Sequence, residues 1–261
     1  QFNPVPWSYI PTFNEIRDQS NERSIFKLFE SIYILSAKNA EKKKYWCCKS
    51  LQNLNFYNNK KFKVLDPIYI YIYRDGRDVA ASYKKASIGD KHIYFLAKKW
   101  EKDQVICKKI RETTNDSNFF SVKYEDLLNN PSKVFKLFCS KYEIKYNKNF
   151  LDFYKSNDSK ITSLSGKLWQ NLSRPLIKNN SEKYKRELSL DEIKIFESIN
   201  SKVLESLGYK NINSAENLIK NFSNEKIKSY EKINMKLKEE NRLKNSTLEM
   251  KLRKRQKSIL N

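Results

Sequence analysis

The chain has 261 residues, 39% of them hydrophobic and 13% aromatic, enough for one large domain with a ring-rich core. Its formal net charge of +22 favours anionic partners such as phosphorylated cofactors, acidic polymers or nucleic acid, although part of that excess follows from a composition skewed towards Lys, Asn, Ile and Tyr. Cys47, Cys48, Cys107 and Cys139 show no CxxC spacing, and the single histidine, His92, gives them no partner. No metal site is therefore expected, and the default is a reduced, cytoplasmic chain. No run is long enough to span a bilayer, and no signal peptide is visible.

In chain order, residues 1–20 read as irregular, with Pro4, Pro6 and Pro11 close together. Apolar residues at 25, 28, 29, 32 and 35 mark a helical face, and Glu41–Lys44 closes that helix. Tyr45–Ser50, "YWCCKS", reads as a short buried strand with Lys49 and Ser50 at its end. Ile68–Tyr73 is a second strand, hydrophobic on both faces, and a helix is expected from Ala80 to Ala86. Ile93, Leu96, Trp100, Gln104 and Cys107 mark one side of a longer helix. Phe119–Tyr124 is a third strand. Asn130 and Pro131 then open a helix that turns Val134, Leu137 and Phe138 inward. Another helix is opened by Ser189 with Asp191 and Glu192 and stopped by Gly208. Strands alternating with helices predict an α/β fold, a parallel sheet covered by helices.

Residues 211–261 differ. They contain neither Gly nor Pro and hold 13 Lys and Arg against 6 Asp and Glu. Ile227, Tyr230, Ile233 and Leu237 give a short helical stripe. A basic tail is expected, either a solvated, partly disordered helix or an arm for self-association or for an acidic surface.

Ligands of parallel α/β sheets gather at the carboxyl ends of the strands. Lys49 with Ser50, Arg74 and Tyr124 all lie at or just past such ends. The strand at 68–73 runs into "RDGRD" and then a helix, whose free N–H groups could join the Arg74 guanidinium and the Ser82 hydroxyl around a phosphate. Gly76 is expected to permit the tight turn. The competing reading keeps everything internal: Arg74 pairs with Asp78 across the turn, and Asp75 or Asp78 caps the helix.

These residues resemble a known family. "YRDGRDVAAS", residues 73–82, is similar to the 3′-phosphate-binding motif of sulfotransferases that use 3′-phosphoadenosine-5′-phosphosulfate (PAPS). "VKYEDLLNNPSKVFKLFC", residues 122–139, resembles the family's strand, Tyr-Glu-Asp-Leu and helix. The segment from Leu172 to Tyr209 resembles its closing stretch, a basic-aromatic cover followed by a last helix. The three come in the family's order and lie within about residues 45–210. The resemblance implies a three-layer, P-loop-NTPase-like fold, with residues 1–210 as the sulfotransferase domain and 211–261 as the tail. It implies that Arg74 and Ser82 bind the 3′-phosphate, that Tyr124 contacts the adenine, and that Lys183 approaches the cofactor phosphates. "CCKSLQN" looks like the family's strand-end lysine segment, which makes Lys49 the catalytic lysine beside the sulfuryl group. The reaction so implied moves a sulfuryl group from PAPS to a hydroxyl, on a carbohydrate or another polar acceptor. It needs no metal and leaves adenosine 3′,5′-bisphosphate.

Two features depart from the family pattern. Its Gly/Ser/Thr-rich 5′-phosphosulfate loop should precede everything above, yet Gly76 is the first glycine. A chain that starts after that loop is expected, with a degenerate member as the alternative. Cytosolic members also carry a His two positions after the lysine, where this chain has Leu51, so the carbohydrate and tyrosylprotein branch is the nearer one. That branch uses a Glu before the lysine strand, for which Glu15 and Glu22 are candidates by region only. Three rivals remain. A P-loop kinase would need a Walker loop and magnesium carboxylates. A basic nucleic-acid or membrane-surface binder would cluster its charge on one face. An inactive, sulfotransferase-like scaffold would use the tail for partners.

Overall fold

The computed structural model describes residues 9–20, 22–39, 45–164 and 168–244. The expected helix end at Glu41–Lys44 and the chain beyond residue 244 lie outside them. The molecule is mostly helical, with a small parallel sheet of two strands, β1 (Tyr69–Tyr73) and β2 (Phe119–Lys123). It divides into two compact units. One takes the chain up to Tyr71 together with Ile106–Phe120; the other takes Ile72–Val105 and everything from Ser121.

The first unit begins with order where irregular chain was expected. Helix α1 (Phe13–Gln19) opens on a capping box. Thr12 accepts from the Glu15 N–H at 3.3 Å, and the Glu15 carboxylate accepts from the Thr12 N–H at 2.7 Å. Helix α2 (Ile25–Asn39) is present as expected, but its apolar stripe is not buried: Ile25, Leu28 and Phe29 are exposed, and Ser31 is its buried residue. Phe26 instead packs edge-on against Phe56 and against Phe62 of α3 (Lys60–Lys63).

The expected strand at Tyr45–Ser50 is not a strand. A strand needs a neighbour for its N–H and C=O groups, and no described residue pairs with this segment in a sheet. Trp46 stacks on Tyr33 of α2 at 4.5 Å instead, and Asn53 donates to the Cys48 carbonyl at 3.4 Å. Nor is β1 hydrophobic on two buried faces. Its tyrosines are half-buried, while Ile70 and Ile72 are 45% and 54% exposed.

The second unit holds α4 (Gly76–Lys85), α6 (Tyr124–Asn129), α7 (Pro131–Lys141), α8 (Asn157–Ser163), α9 (Tyr184–Glu187), α10 (Leu190–Ser206) and α11 (Asn224–Leu243). It also holds the first part of α5 (Ile93–Thr113). The expected stripe on α5 is observed, with Ile93, Leu96, Trp100 and Cys107 all buried. Pro131 sits in the first turn of α7, but Leu137 points out and Cys139 takes the buried place.

Helix α10 matches its sequence signals closely. Ser189 and Glu192 form a capping box. At the other end Gly208, at φ +77°, donates to the Glu205 carbonyl and Tyr209 to the Leu204 carbonyl, a Schellman stop. The core of this unit is built where α4, α5 and α10 meet, around Ala80, Ala97, Trp100, Ile193 and Phe196.

Gly76 has a different role from the one expected. It is the first residue of α4 and does not lie at positive φ. A Cβ there would fall 2.5 Å from Phe196 Cζ and 2.6 Å from the Trp100 ring. Close approach of the helix to two buried rings excludes a side chain, and turn geometry does not.

The described part of the tail is mostly exposed but is held to the rest of its unit at a few points. The stretch before α11 is tied to α10, where Ile219 N–H donates to Ser198 Oγ at 2.8 Å. Tyr230 of α11 is buried and stacks on His92 at 4.3 Å. The inward face carries Asn234, with Ile233 exposed.

Candidate functional site

The site grows from the end of β1. Arg74 leaves the strand and turns back along α4. Its Nη2 donates to Asp78 Oδ2 at 3.2 Å and to the Asn180 carbonyl. Its guanidinium lies over the Tyr124 ring at 4.6 Å. Its side chain is 16% exposed, and Nε is buried with no hydrogen-bond partner. Tyr124, the first residue of α6, accepts through its hydroxyl from Asn180 Nδ2 at 2.7 Å. Arg74, Tyr124 and Asn180 thus close a ring of contacts that joins the ends of both strands to a loop 106 residues beyond Arg74 and 56 beyond Tyr124.

Asp78 is the hub. Fully buried, it accepts from Arg74 through one oxygen and from the Tyr184 N–H through the other, at 2.9 Å. Its carbonyl accepts from Ser82 Oγ at 3.0 Å. Arg74, Ser82 and Tyr124 are therefore brought together through Asp78 and Asn180. Lys183, half-buried, immediately precedes Tyr184, and its charge, behind that of Lys85, acts on the Glu187 carboxylate.

The helix start is not the anion site that the spacing alone suggests. Helix α4 begins at Gly76, so Ser82 lies in its second turn and not its first. The N-terminal position is already taken by a carboxylate: Asp75 is the N-cap and accepts from the Arg77 N–H at 2.9 Å. The internal reading of the turn, with Arg74 on Asp78 and Asp75 as cap, is what the structure contains.

Sequence reasoning missed a buried network beside it. Arg77, 1% exposed, grips Asp75 with two nitrogens at 3.0 and 2.7 Å and reaches Glu197 of α10 with a third at 2.5 Å. Its guanidinium also covers the Tyr184 ring at 4.1 Å. Glu197 accepts in addition from the N–H groups of Ile212 and Asn213, each at 2.9 Å. Burial works against the Arg77 charge, but hydrogen bonds and charge from Asp75, with Glu197 behind them, hold its pKa above the usual value. One signal was available: Glu197 and Asn200 fall on the same helical face as Ile193, Phe196 and Leu204, and polar residues on an apolar stripe need partners. Further along the same wall, the Tyr209 hydroxyl donates to Glu125 at 2.8 Å. Burial and the Glu125 carboxylate push its pKa far above the ordinary tyrosine range.

The other candidates have surroundings of their own. Lys49 belongs to the first unit, in an exposed segment without regular structure. Glu15 is engaged in its cap, and hydrogen bonds from Thr12 and Tyr9 lower its carboxyl to about 2, too acidic for a base at neutral pH. Glu22 is exposed, 3.9 Å from Lys61. His92 has a packing role under Tyr230, and burial lowers its pKa. Among the described residues no group of three or more His, Cys, Asp or Glu is placed to hold a metal ion. No helix among them is long and apolar enough to cross a membrane.

A family model described as "Sulfotransferase family" matches residues 7–148, more than half of the chain. The match includes Lys49, Arg74, Ser82 and Tyr124 and stops short of Lys183 and α10. No curated protein and no solved structure matches. The strand, the Arg74 to Ser82 segment and the Tyr124 segment all fall inside the matched range, and on that ground the chain belongs to the sulfotransferase family, whose general chemistry is sulfuryl transfer.

Proposed function

We propose that the chain binds PAPS through the cluster around Arg74 and serves sulfuryl transfer to a hydroxyl on a carbohydrate or another polar acceptor. The observation that carries this reading is Arg74 itself. It is a largely buried guanidinium with an orphaned Nε donor, seated on an aromatic ring. An unpaired buried donor costs about 1–3 kcal/mol, and a phosphate oxygen is a strong acceptor for it.

The residues fit the 3′ end of the nucleotide. Arg74 would meet the 3′-phosphate, with Ser82 releasing its proton from the Asp78 carbonyl to join it. Tyr124 offers its ring edge and hydroxyl to the adenine, and Lys183 a charge to the phosphates. When bound, PAPS supplies the sulfuryl group, and Lys49 is the residue proposed to face it. The same proposal places the chain in the three-layer, P-loop-like architecture of such enzymes and in their carbohydrate and tyrosylprotein branch.

Calorimetry with adenosine 3′,5′-bisphosphate tests the reading. Loss of a charge-assisted hydrogen bond is worth about 1.5–3 kcal/mol, so Arg74→Ala should weaken binding by roughly 10- to 100-fold. Absence of any heat with the parent chain, or binding that Arg74→Ala leaves unchanged, overturns the assignment.

A further inference from the structure

One amide of helix α11 binds the turn between α4 and α5, and Lys238 of the same helix reaches Asp90 Oδ1 at 3.4 Å. The Asn234 side chain, 8% exposed, has every hydrogen-bonding group but one proton engaged. Its Oδ1 accepts from the N–H groups of Lys91 at 2.8 Å and His92 at 3.0 Å, and its Nδ2 donates to Asp90 Oδ1 at 2.9 Å. Three consecutive residues of the turn between α4 and α5 are thereby held by a single residue of the tail. Tyr230, one turn earlier on α11, stacks on the His92 ring.

The middle residue of that turn passes the constraint on. Lys91 is 4% exposed. Its Nζ donates to the carbonyls of Tyr83, Ala86 and Ile88, at 2.8, 2.5 and 2.8 Å. Tyr83 lies in the last turn of α4, and Ala86 is its C-cap. A cation on these carbonyls suits the negative end of the helix dipole. The chain of contacts therefore runs from α11 through Asn234 to Lys91 and on to the C-terminal end of α4, the helix that carries Asp78 and Ser82.

We propose that α11 is a clamp on the α4–α5 turn, and that Asn234 is a positioning residue which, through Lys91, fixes α4 and the side chains it presents to the site. The effect on the nucleotide rests on the PAPS-binding reading, whereas the mechanical coupling does not. Hydrogen exchange on the full chain reads the coupling directly. In Asn234→Ala, amides of residues 83–92 should exchange at least tenfold faster while those of α10 stay protected. Lys91→Met should loosen residues 83–88 with α11 still protected, which keeps the coupling testable if the first variant folds poorly. The reciprocal pair Asp90→Asn with Asn234→Asp exchanges donor and acceptor and should restore protection. Faster exchange confined to residues 224–243 in Asn234→Ala, or no rescue by the reciprocal pair, overturns the clamp. A second arm measures adenosine 3′,5′-bisphosphate, expected to bind Asn234→Ala about tenfold more weakly than the parent chain. Equal affinity removes the link to the site. No binding by the parent removes the nucleotide reading alone, and exchange still decides the clamp.

Discussion

Replacing Gly76 by Ala sets two opposed effects against each other. Alanine is the better helix former, by about 1 kcal/mol in a helix interior, and Gly76 is already in a helical conformation at the first position of α4. If backbone preference governed, the variant would be more stable. Sterics argue the other way. The new Cβ would sit 2.5 Å from Phe196 Cζ and 2.6 Å from two Trp100 ring atoms, where carbon atoms normally rest about 3.5–4.0 Å apart. Both rings are buried and pack on each other with centroids 5.6 Å apart, so neither can swing into solvent. Overpacking of this kind costs about 1–3 kcal/mol. The gain at a first helical position is less than the interior value, so a net loss of about 2 kcal/mol is expected. Urea unfolding should show it as a lower midpoint at unchanged slope. Phe196→Leu shortens the ring that is struck, so the double variant should lose less than the two single losses together, with a coupling of about 1 kcal/mol. A Gly76→Ala protein as stable as the parent, or more stable, would refute the close-approach argument.

Two further outcomes follow from the buried charges and from the histidine. Glu197→Ala leaves Arg77 with Asp75 alone and strips the N–H groups of Ile212 and Asn213 of their acceptor. A loss of about 3–5 kcal/mol in unfolding stability is expected, and Glu197→Gln, which keeps an acceptor oxygen, should lose less; equal losses would show that charge and not geometry is what matters there. His92 has its pKa lowered by burial, so the unfolded chain takes up the proton first as pH falls. The stability it contributes is present above the ordinary imidazole pKa and is lost as pH drops through and below it. Denaturation midpoints between pH 7 and pH 5 should fall less steeply in His92→Gln than in the parent, and parallel slopes would count against the burial of the ring.

How far the sequence discloses the fold depends on whether a signal is local. The caps of α10 are: Ser189, Glu192 and Gly208 act within a few residues of themselves, and each is where its chemistry predicts. The stripe of α5 is also local, because a 3.6-residue period needs no knowledge of the partner. Signals that depend on a partner fail. The segment Tyr45–Ser50 has strand-like composition, but a strand exists only when another strand pairs with it. In α11 Tyr230 of the expected stripe is buried and Ile227 and Leu237 are half-buried, but Ile233 is exposed, and Asn234 turns inward instead because the N–H groups of Lys91 and His92 need its acceptor oxygen.

The opposed charges of "RDGRD" resolve into two jobs. Asp75, Arg77 and Glu197 form a sealed unit with a formal charge of minus one, out of water and bonded on every side. Such a unit holds α4 on α10 and offers an anion nothing. Arg74 with Asp78 sums formally to zero, yet it is the pair that keeps an unused donor and partial access to solvent. The dipole of α4 cannot make up the difference, since Asp75 occupies the helix start. On the proposed reading, attraction for a phosphate would come from side chains outside the turn. Lys183 is next to the residue whose N–H binds Asp78, and its charge, behind that of Lys85, also acts on the Glu187 carboxylate. On the proposed reading the motif would position a phosphate through one guanidinium on an aromatic face, and the net pull on it would come from the distant segment that Asn180 ties to Tyr124.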